Sequence, residues 1–543
     1  MKIQFFGAAT GVTGSCHLVT TEKHKILLDC GQFQGGKTRE AMNYEPFPFD
    51  PAEIDYMILS HAHIDHCGRI PLLVKRGFKG DIYCTDATAD LVEVMLKDSG
   101  YIHEKEAEWK NRKNERAGRP AVEPLYTFND AVDSLKFIKP VLYDQLIELN
   151  EEMKFVFNDA GHILGSAITE IWITEEGQTS KIVFSGDIGR EERPIICDPE
   201  QVKGADYLVI EGTYGDRNHQ ESTAEAKEAH LISVLKMGIA RGGNIVIPSF
   251  AVGRTQELLY YIKRLLMKNA VPGLENVPVY IDSPLGINAT KVYEKCAEGY
   301  YDEEARAMAK SGSPFDFPNL RVAVTADESK LINAETGCNI IISSSGMCDA
   351  GRIRHHLKHN LYRADSTVIF TGYQAEGTLG RMLLDGAKKV RLFGEDVRVN
   401  ATIERIEGFS GHAGRDELIE WIEGIGNKPV CTFFVHGESD VLDGFSSAVA
   451  SLGYHVEVPE LLEEFTLLPG SMERTQESAP ASAAEERVEA HYAVQLHAQL
   501  ERLSALLEHT DWKADASAAL RAEIMEEDIR ALVDKWERIL RRG

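Results

Sequence analysis

Three imidazoles and a carboxylate fall within one short stretch, His61-Ala62-His63-Ile64-Asp65-His66, directly behind the apolar run Tyr56-Met57-Ile58-Leu59-Ser60. Such a cluster at the end of a buried strand forces the fold to converge on a metal site. His61 and His63, at i and i+2 on an extended or turning segment, can both face one ion. Asp65 and His66 lie on the following turn and point to a neighbouring position, so the spacing predicts two metals. A mix of imidazole and carboxylate donors suits borderline cations such as zinc. The plain alternative is a polar loop whose histidines only meet solvent, which fits poorly with so dense a cluster behind a strand.

Other polar residues at the ends of apolar runs complete the donor set. His162, in Gly161-His162-Ile163-Leu164-Gly165-Ser166, offers a third imidazole for the first ion, and Asp187, in Ser185-Gly186-Asp187-Ile188-Gly189, offers a carboxylate that can bridge both. His436, after Val430-Cys431-Thr432-Phe433-Phe434-Val435, can close the second. His61, His63, His162 and Asp187 are thus expected around one ion, and Asp65, His66, Asp187 and His436 around the other, with room for a bridging water that two divalent ions acidify to hydroxide at neutral pH.

The chain has 543 residues, 43% of them hydrophobic, which predicts two or three domains. Runs such as Lys25-Ile26-Leu27-Leu28-Asp29 and Lys181-Ile182-Val183-Phe184-Ser185 read as strands that end on chemistry-bearing residues. From about residue 213 to 391 longer strand–helix alternation takes over, with strands at Gly243–Pro248, Val279–Asp282, Asn339–Ser343 and Thr367–Thr371 and a helix from Thr255 to Met267. This reads as a parallel-sheet domain inserted into the first, because the style of the first domain returns afterwards. The expected organisation is a metal-binding domain over 1–212 and 392–469, an insertion over 213–391, a linker over 470–484 and a helical extension over 485–543. Leu496, Leu500, Leu503 and Leu507, then Met525, Ile529, Leu532, Trp536 and Ile539, space two amphipathic helices. A homodimer through these helices and packing back on the body are both open.

No run reaches the length of a transmembrane helix, and Met1-Lys2-Ile3-Gln4-Phe5-Phe6 leads into a strand rather than a secretory signal, so the expected location is cytoplasmic, with no membrane partner. Nine cysteines, scattered and never in a Cys-x-x-Cys pair, fit reduced thiols. The net charge of −26 disfavours nonspecific binding to nucleic acid, so any polyanion has to be gripped locally, and a metal pair supplies such a local positive charge. His355, His356 and His359 imitate a helical metal pair, but they sit among Arg352, Arg354 and Lys358 and are expected on a basic surface helix. Glu191-Glu192 reads as a solvated face.

Residues 61 to 66 match in full the His-x-His-x-Asp-His pattern of the metallo-β-lactamase superfamily, which the chain resembles. Asp29, in Leu28-Asp29-Cys30-Gly31, is similar to the family's early acidic motif, where it orients ligating imidazoles from behind. Ile210-Glu211-Gly212-Thr213-Tyr214-Gly215, Gly408-Phe409-Ser410-Gly411-His412 and Phe434-Val435-His436-Gly437-Glu438 resemble motifs A, B and C of the β-CASP nucleases. The likeness runs over roughly residues 1–468 and includes the stretches from Pro248 to Glu257 and from Ser344 to Met347. The closest general resemblance is to bacterial and archaeal relatives of the endonuclease subunit of the pre-mRNA cleavage factor, without space before residue 1 for the KH domains of many archaeal members.

This resemblance implies an α/β fold: a metallo-β-lactamase αββα sandwich with an inserted parallel-sheet β-CASP domain, followed here by the helical extension. It implies two Zn²⁺ ions, with Mn²⁺ or Fe²⁺ also compatible with the donors. The histidine of motif C favours single-stranded RNA as substrate. Hydroxide held between the ions would attack phosphorus, His412 would protonate the departing 3′ oxygen and Glu211 would orient that imidazole, giving 5′-phosphate and 3′-hydroxyl ends. Asp65 joins His412 and Glu211 in the implied catalytic set. Arg254, Ser344, Ser345 and Gly346 are the expected substrate-phosphate contacts, although a helix-start salt bridge explains Arg254 equally well. A metallohydrolase of small esters or thioesters on the same core is the alternative, and a noncatalytic RNA-binding scaffold a weaker one, since the ligand set is intact. Endonuclease and 5′-exonuclease action are both open.

Overall fold

Parallel strands place their carboxyl ends on one sheet edge, and that rule organises the whole site. In the computed structural model, which describes residues 1–218, 224–375 and 377–475, two sheets stack face to face. The first has eight strands in the spatial order Ser471–Arg474, Glu464–Leu468, Lys2–Gly7, Cys16–Thr20, Lys25–Leu28, Tyr56–Ile58, Asp81–Thr85 and Ile138–Val141. The second has seven, in the order Val456–Glu457, Cys431–Val435, Tyr207–Glu211, Gln178–Phe184, Ala167–Glu175, Met153–Asp159 and Ile147–Glu148. Inward-facing residues of both sheets fill the space between them; Phe5 lies 5.3 Å from Phe433 and 6.0 Å from Phe465, ring centre to ring centre. Lys25–Leu28 runs parallel to Tyr56–Ile58, and Gln178–Phe184 to Tyr207–Glu211 and Cys431–Val435. Asp29 and His61 therefore leave one edge of the first sheet, and Asp187, Glu211 and His436 the matching edge of the second.

A third sheet of six strands follows the order Leu320–Val322, Val279–Asp282, Ile340–Ser343, Ile245–Pro248, Thr367–Phe370 and Thr402–Arg405, all parallel. Its central strands are unbroken apolar runs because helices cover both faces. The last strand, Thr402–Arg405, lies past residue 391 and is only half-buried, so no apolar run marks it in the sequence. This lobe shares a continuous buried cluster with the first: Leu91, Leu96, Tyr293 and Tyr301 belong to it alike. Tyr300 hydrogen-bonds Asp86, at the start of the 31-residue helix Asp86–Arg116. The fold is thus α/β, with helices on both sheet systems and a parallel sheet in the insertion. The expected helices beyond residue 484 lie outside the described residues, as does most of the linker from residue 470 onwards. No helix among the described residues is long and apolar enough to cross a membrane.

Candidate metal centre and its flanking histidine

The segment carrying His61 to His66, which turns from loop into the short helix Ile64–Cys67, is packed backbone on backbone. A Cβ on Gly31 would stand 1.6 Å from the Asp65 carbonyl oxygen, so only glycine permits the approach, and the same carbonyl accepts the Ser15 N–H. His162 sits on the loop between Met153–Asp159 and Ala167–Glu175. There the Ser166 hydroxyl accepts the His162 N–H at 3.0 Å, while Thr85 and Thr88 both donate to the Gly165 carbonyl at 2.7 Å. Asp29 and His436 both hold positive φ, at 58° and 54°, a strain that side chains tolerate where the surroundings fix them.

The ring nitrogens converge. His61 Nε2 lies 3.1 Å from His63 Nδ1, which lies 3.2 Å from His162 Nε2. These separations match the edge of a tetrahedron of ligands about 2 Å from a central ion, roughly 3.3 Å. Asp187 Oδ2 stands 3.5 Å from both His61 Nε2 and His162 Nε2. On the other side, His66 Nε2 is 3.1 Å from His436 Nε2, which is 3.6 Å from Asp65 Oδ2. Asp187 Oδ1 lies 3.3 Å from His66 Nε2 and 3.7 Å from His436 Nδ1, yet it is buried with no hydrogen-bond partner of acceptable geometry. One carboxylate thus offers one oxygen to each group of donors, and an orphaned buried oxygen is costly unless a cation or proton meets it. The donors fit a pair of divalent ions: His61, His63, His162 and Asp187 form one group, and Asp65, His66 and His436 another.

The far side of each ring is held as well. Asp29 Oδ2 accepts from His66 Nδ1 at 2.7 Å and from the Ser60 and Ser15 hydroxyls at 2.9 and 3.0 Å. Thr213 Oγ1 accepts from His436 Nδ1 at 3.0 Å and donates to its carbonyl, fixing Nε2 as the inward nitrogen. Thr213 lies within motif A, but nothing in the sequence assigns it this task. Burial holds His61 and His162 well below the ordinary imidazole value, and His63 down to about 4, so these rings are neutral and ready to ligate. Burial works the same way on His66, but Asp187 and Asp29 outweigh it and raise the ring well above its usual value. Asp187 itself, despite burial, is held well below the usual carboxylate range by His436, His66 and His61.

Beside the donors, His412 Nδ1 lies 3.1 and 3.0 Å from the two oxygens of Glu211, and 3.9 Å from Asp187 Oδ2. Glu211 Oε1 also accepts the Ile188 N–H at 2.6 Å, locking the carboxylate. Burial disfavours charge on His412, but Glu211, by charge and hydrogen bond, takes it up to about 9. Arg193 completes the wall: its Nη1 donates to the His162 carbonyl at 2.5 Å, and its Nη2 lies 3.6 Å from Glu257. No sequence signal marks it, since it follows the exposed Glu191-Glu192.

The expected substrate contacts are less uniform. Arg254 opens the helix Arg254–Met267 and pairs with Glu257 at 3.2 Å, the helix-start bridge, but Glu257 is shared with Lys227 and Arg193, so three cations surround one carboxylate. The Ser344 hydroxyl donates to Ser283 and the Ser345 hydroxyl to the Ala350 carbonyl, so both are engaged locally, and Gly346 lies against the Phe250 ring. One expectation is corrected in part: His355 and His359 are exposed, but His356 is fully buried and bonded to Asp282 at 2.5 Å. His355 stacks on Phe393 at 4.3 Å.

Residues 9–231 match the metallo-beta-lactamase superfamily, 255–383 the Beta-Casp domain and 396–459 the Zn-dependent metallo-hydrolase RNA specificity domain. The chain is 36% identical over 459 residues to Ribonuclease TTHA0252 of Thermus thermophilus, covering 84% of this chain and 98% of that one. It is 32% identical over 464 residues to Transcription termination factor FttA of Methanocaldococcus jannaschii, covering 83% and 69%. An RNase J-like protein of the same organism is 33% identical over 437 residues, covering 80% and 92%. Relatives more than 30% identical, two of them matched over 98% and 92% of their length, together with family models on both lobes, place the chain in one family: it belongs to the β-CASP family of the metallo-β-lactamase superfamily.

Proposed function

We propose that this protein is a metal-dependent ribonuclease that hydrolyses phosphodiester bonds of single-stranded RNA and leaves 5′-phosphate and 3′-hydroxyl ends. The observation that carries the reading is the His412–Glu211 pair, 3.0 Å apart and flush against Asp187, because hydrolysis of a small ester has no need for a second acid of this kind beside the metal donors. Relatives named as a ribonuclease and as RNase J-like support RNA as the substrate class.

His61, His63, His162 and Asp187 would hold one cation, and Asp65, His66, Asp187 and His436 the other; zinc suits this donor set, as do manganese and iron. Two bound divalent cations supply Lewis acidity, which acidifies water for attack and neutralises charge on phosphate oxygens. The remaining work belongs to the chain. Asp29 and Thr213 fix the rings of His66 and His436 from behind. His412, with Nδ1 committed to Glu211, gives its proton from Nε2 to the departing 3′ oxygen, and Glu211 keeps the imidazole charged until then. Arg254, with Lys227 and Arg193, lends positive potential to a cleft in an otherwise acidic protein. The free state of all nine cysteines agrees with action on cytoplasmic RNA.

The test is cleavage of an internally and 5′-labelled single-stranded RNA by protein of measured metal content, beside His63→Ala and His412→Ala. Cleavage by the wild type that both substitutions abolish is the expected result, and product lengths separate endonucleolytic from exonucleolytic action. Two bound metals with no cleavage of any RNA would overturn the reading in favour of a small-ester hydrolase.

A further inference from the structure

Exposed aromatic rings are not scattered evenly. On the helix Asp86–Arg116, Trp109 and Tyr101 are exposed and each meets a lysine of its own helix, with Lys113 Nζ 3.5 Å from the Trp109 ring centre and Lys105 Nζ 5.6 Å from that of Tyr101. A different group leads from the surface to the metal centre. Tyr373 is 49% exposed; the Arg217 guanidinium lies 6.0 Å from its ring centre and 4.8 Å from that of Tyr214. Tyr214 in turn meets the His412 ring edge-on, centres 5.8 Å apart.

Both ends of this run are anchored. Tyr214 and Arg217 lie on the turn after the strand Tyr207–Glu211. The turn is tied to the segment following His412: the Arg217 carbonyl accepts the Arg415 N–H at 3.0 Å, and Asn218 exchanges two hydrogen bonds with Asp416, at 2.7 and 2.9 Å. Tyr373 follows the parallel-sheet strand Thr367–Phe370. Its neighbour Gln374 is buried and donates to the Gly346 carbonyl at 3.0 Å, and Gly346 supports the half-exposed Phe250. The aromatic surface therefore stands on the carboxyl edge of the parallel sheet, where ligands of such sheets bind, and faces the acid–imidazole pair.

We infer that the exposed face of Tyr373, edged by the Arg217 guanidinium, is a stacking site for an unpaired nucleobase flanking the scissile phosphate. A tyrosine ring and a guanidinium plane are the surfaces on which unpaired bases stack without regard to sequence. Net charge decides between this and backbone contacts alone: a chain at −26 has little long-range attraction for a polyanion, whereas stacking is indifferent to it. Arg217 is partly neutralised by Asp216, 3.4 Å from its Nε, and its guanidinium already lies over the Tyr214 ring, so it braces the Tyr373 ring more than it adds free charge. A base inside a duplex cannot present a face to this shelf, so the site selects single strands.

The inference rests on the ribonuclease reading for its placement, and the experiment separates the two. Full-length protein carrying His412→Ala, to stop turnover, is titrated with a short single-stranded RNA in which one abasic nucleotide is moved along the strand; Tyr373→Leu and Tyr373→Phe are added to the same background. The expected result is one position at which base removal raises Kd about ten-fold. Tyr373→Leu raises Kd for the intact strand by a similar factor and shows no further loss with that abasic strand, while Tyr373→Phe matches the parent. A Tyr373→Leu protein that binds intact RNA like the parent, or penalties that combine in full, would overturn the shelf. Wild-type cleavage is assayed in parallel. Coupling without cleavage removes the ribonuclease reading and keeps the shelf, cleavage without coupling or without binding does the reverse, and absence of both binding and cleavage overturns both.

Discussion

Among the described residues, two buried aspartate–histidine clusters, one in each lobe, are built on opposite plans. At the metal centre, Asp187 has one oxygen without a hydrogen-bond partner, and ring nitrogens crowd one another at 3.1 to 3.2 Å. At the carboxyl end of the strand Val279–Asp282, every partner is accounted for. Asp282 Oδ2 accepts from Ser329 and His356, each at 2.5 Å, and Oδ1 from Arg352 at 2.7 Å, while His356 Nδ1 meets Asn333 at 2.9 Å. Those donors, set against the cost of burial, hold the Asp282 carboxyl below its usual range. A cluster whose donors converge on a common centre asks for a ligand; a cluster whose donors point at each other is a strut. Residue type alone does not tell them apart, but satisfaction of hydrogen bonds does.

The comparison breaks if the first cluster is not a ligand set, and the largest effects should fall there. Asp187→Asn or His63→Ala should remove bound metal, read by elemental analysis, and lower RNA cleavage by more than about 10³-fold. Loss of cleavage with two metals retained would refute the assignment. His412→Ala sharpens the boundary of the set: metal content should stay at the wild-type value while the rate falls by about 10²- to 10⁴-fold, the range of a lost general acid. Metal lost along with activity would make His412 a ligand instead.

Much of the first cluster was legible because its donors are local. Residues 61 to 66 fall on one short segment, a strand-end loop running into the helix Ile64–Cys67, and Asp187 and His436 each follow an apolar strand. Parallel pairing of Gln178–Phe184, Tyr207–Glu211 and Cys431–Val435 then brings distant segments to one edge without any further sequence signal. The second cluster was misread for an equally physical reason. Ile353, His356, Leu357 and Asn360 occupy i, i+3, i+4 and i+7, the buried face of the helix Ile353–Asn360, yet two of the four are polar and read as surface. Their burial is possible only because Asp282 and Asn244, remote in sequence, satisfy them. Thr213 and Arg193 escaped notice in the same way, since each acts through a partner that only the tertiary fold supplies.

If the Asp282 cluster is a strut, its removal should harm stability and leave metal alone. Asp282→Ala strips a buried imidazole and a partly exposed guanidinium of their carboxylate, which costs about 3–5 kcal/mol. Urea unfolding should show that loss, and metal content of the folded fraction should match wild type. A variant that kept its stability but lost RNA binding would turn the strut into a functional site and collapse the contrast.

Asp159 offers the smallest and most specific test, because it is a buried acid with no cationic partner among the described residues. It ends the strand Met153–Asp159 and accepts the Gly161 N–H at 2.8 Å, but burial, with Glu200 and Asp198 nearby, pushes it up to about 7. An unfolded aspartate titrates near 3.9. The folded state therefore keeps a proton that the unfolded state has released, and this contribution is whole below about pH 4 and is lost as pH rises through 7. Asp159→Asn stays neutral throughout and can still accept from Gly161. Its stability advantage over wild type should widen by about 2 kcal/mol between pH 5 and pH 8, read from urea midpoints at each pH. A constant difference would mean that Asp159 is already ionised at pH 5, and that an unpaired buried carboxylate is tolerated beside the His162 loop as readily as the paired one at Asp282.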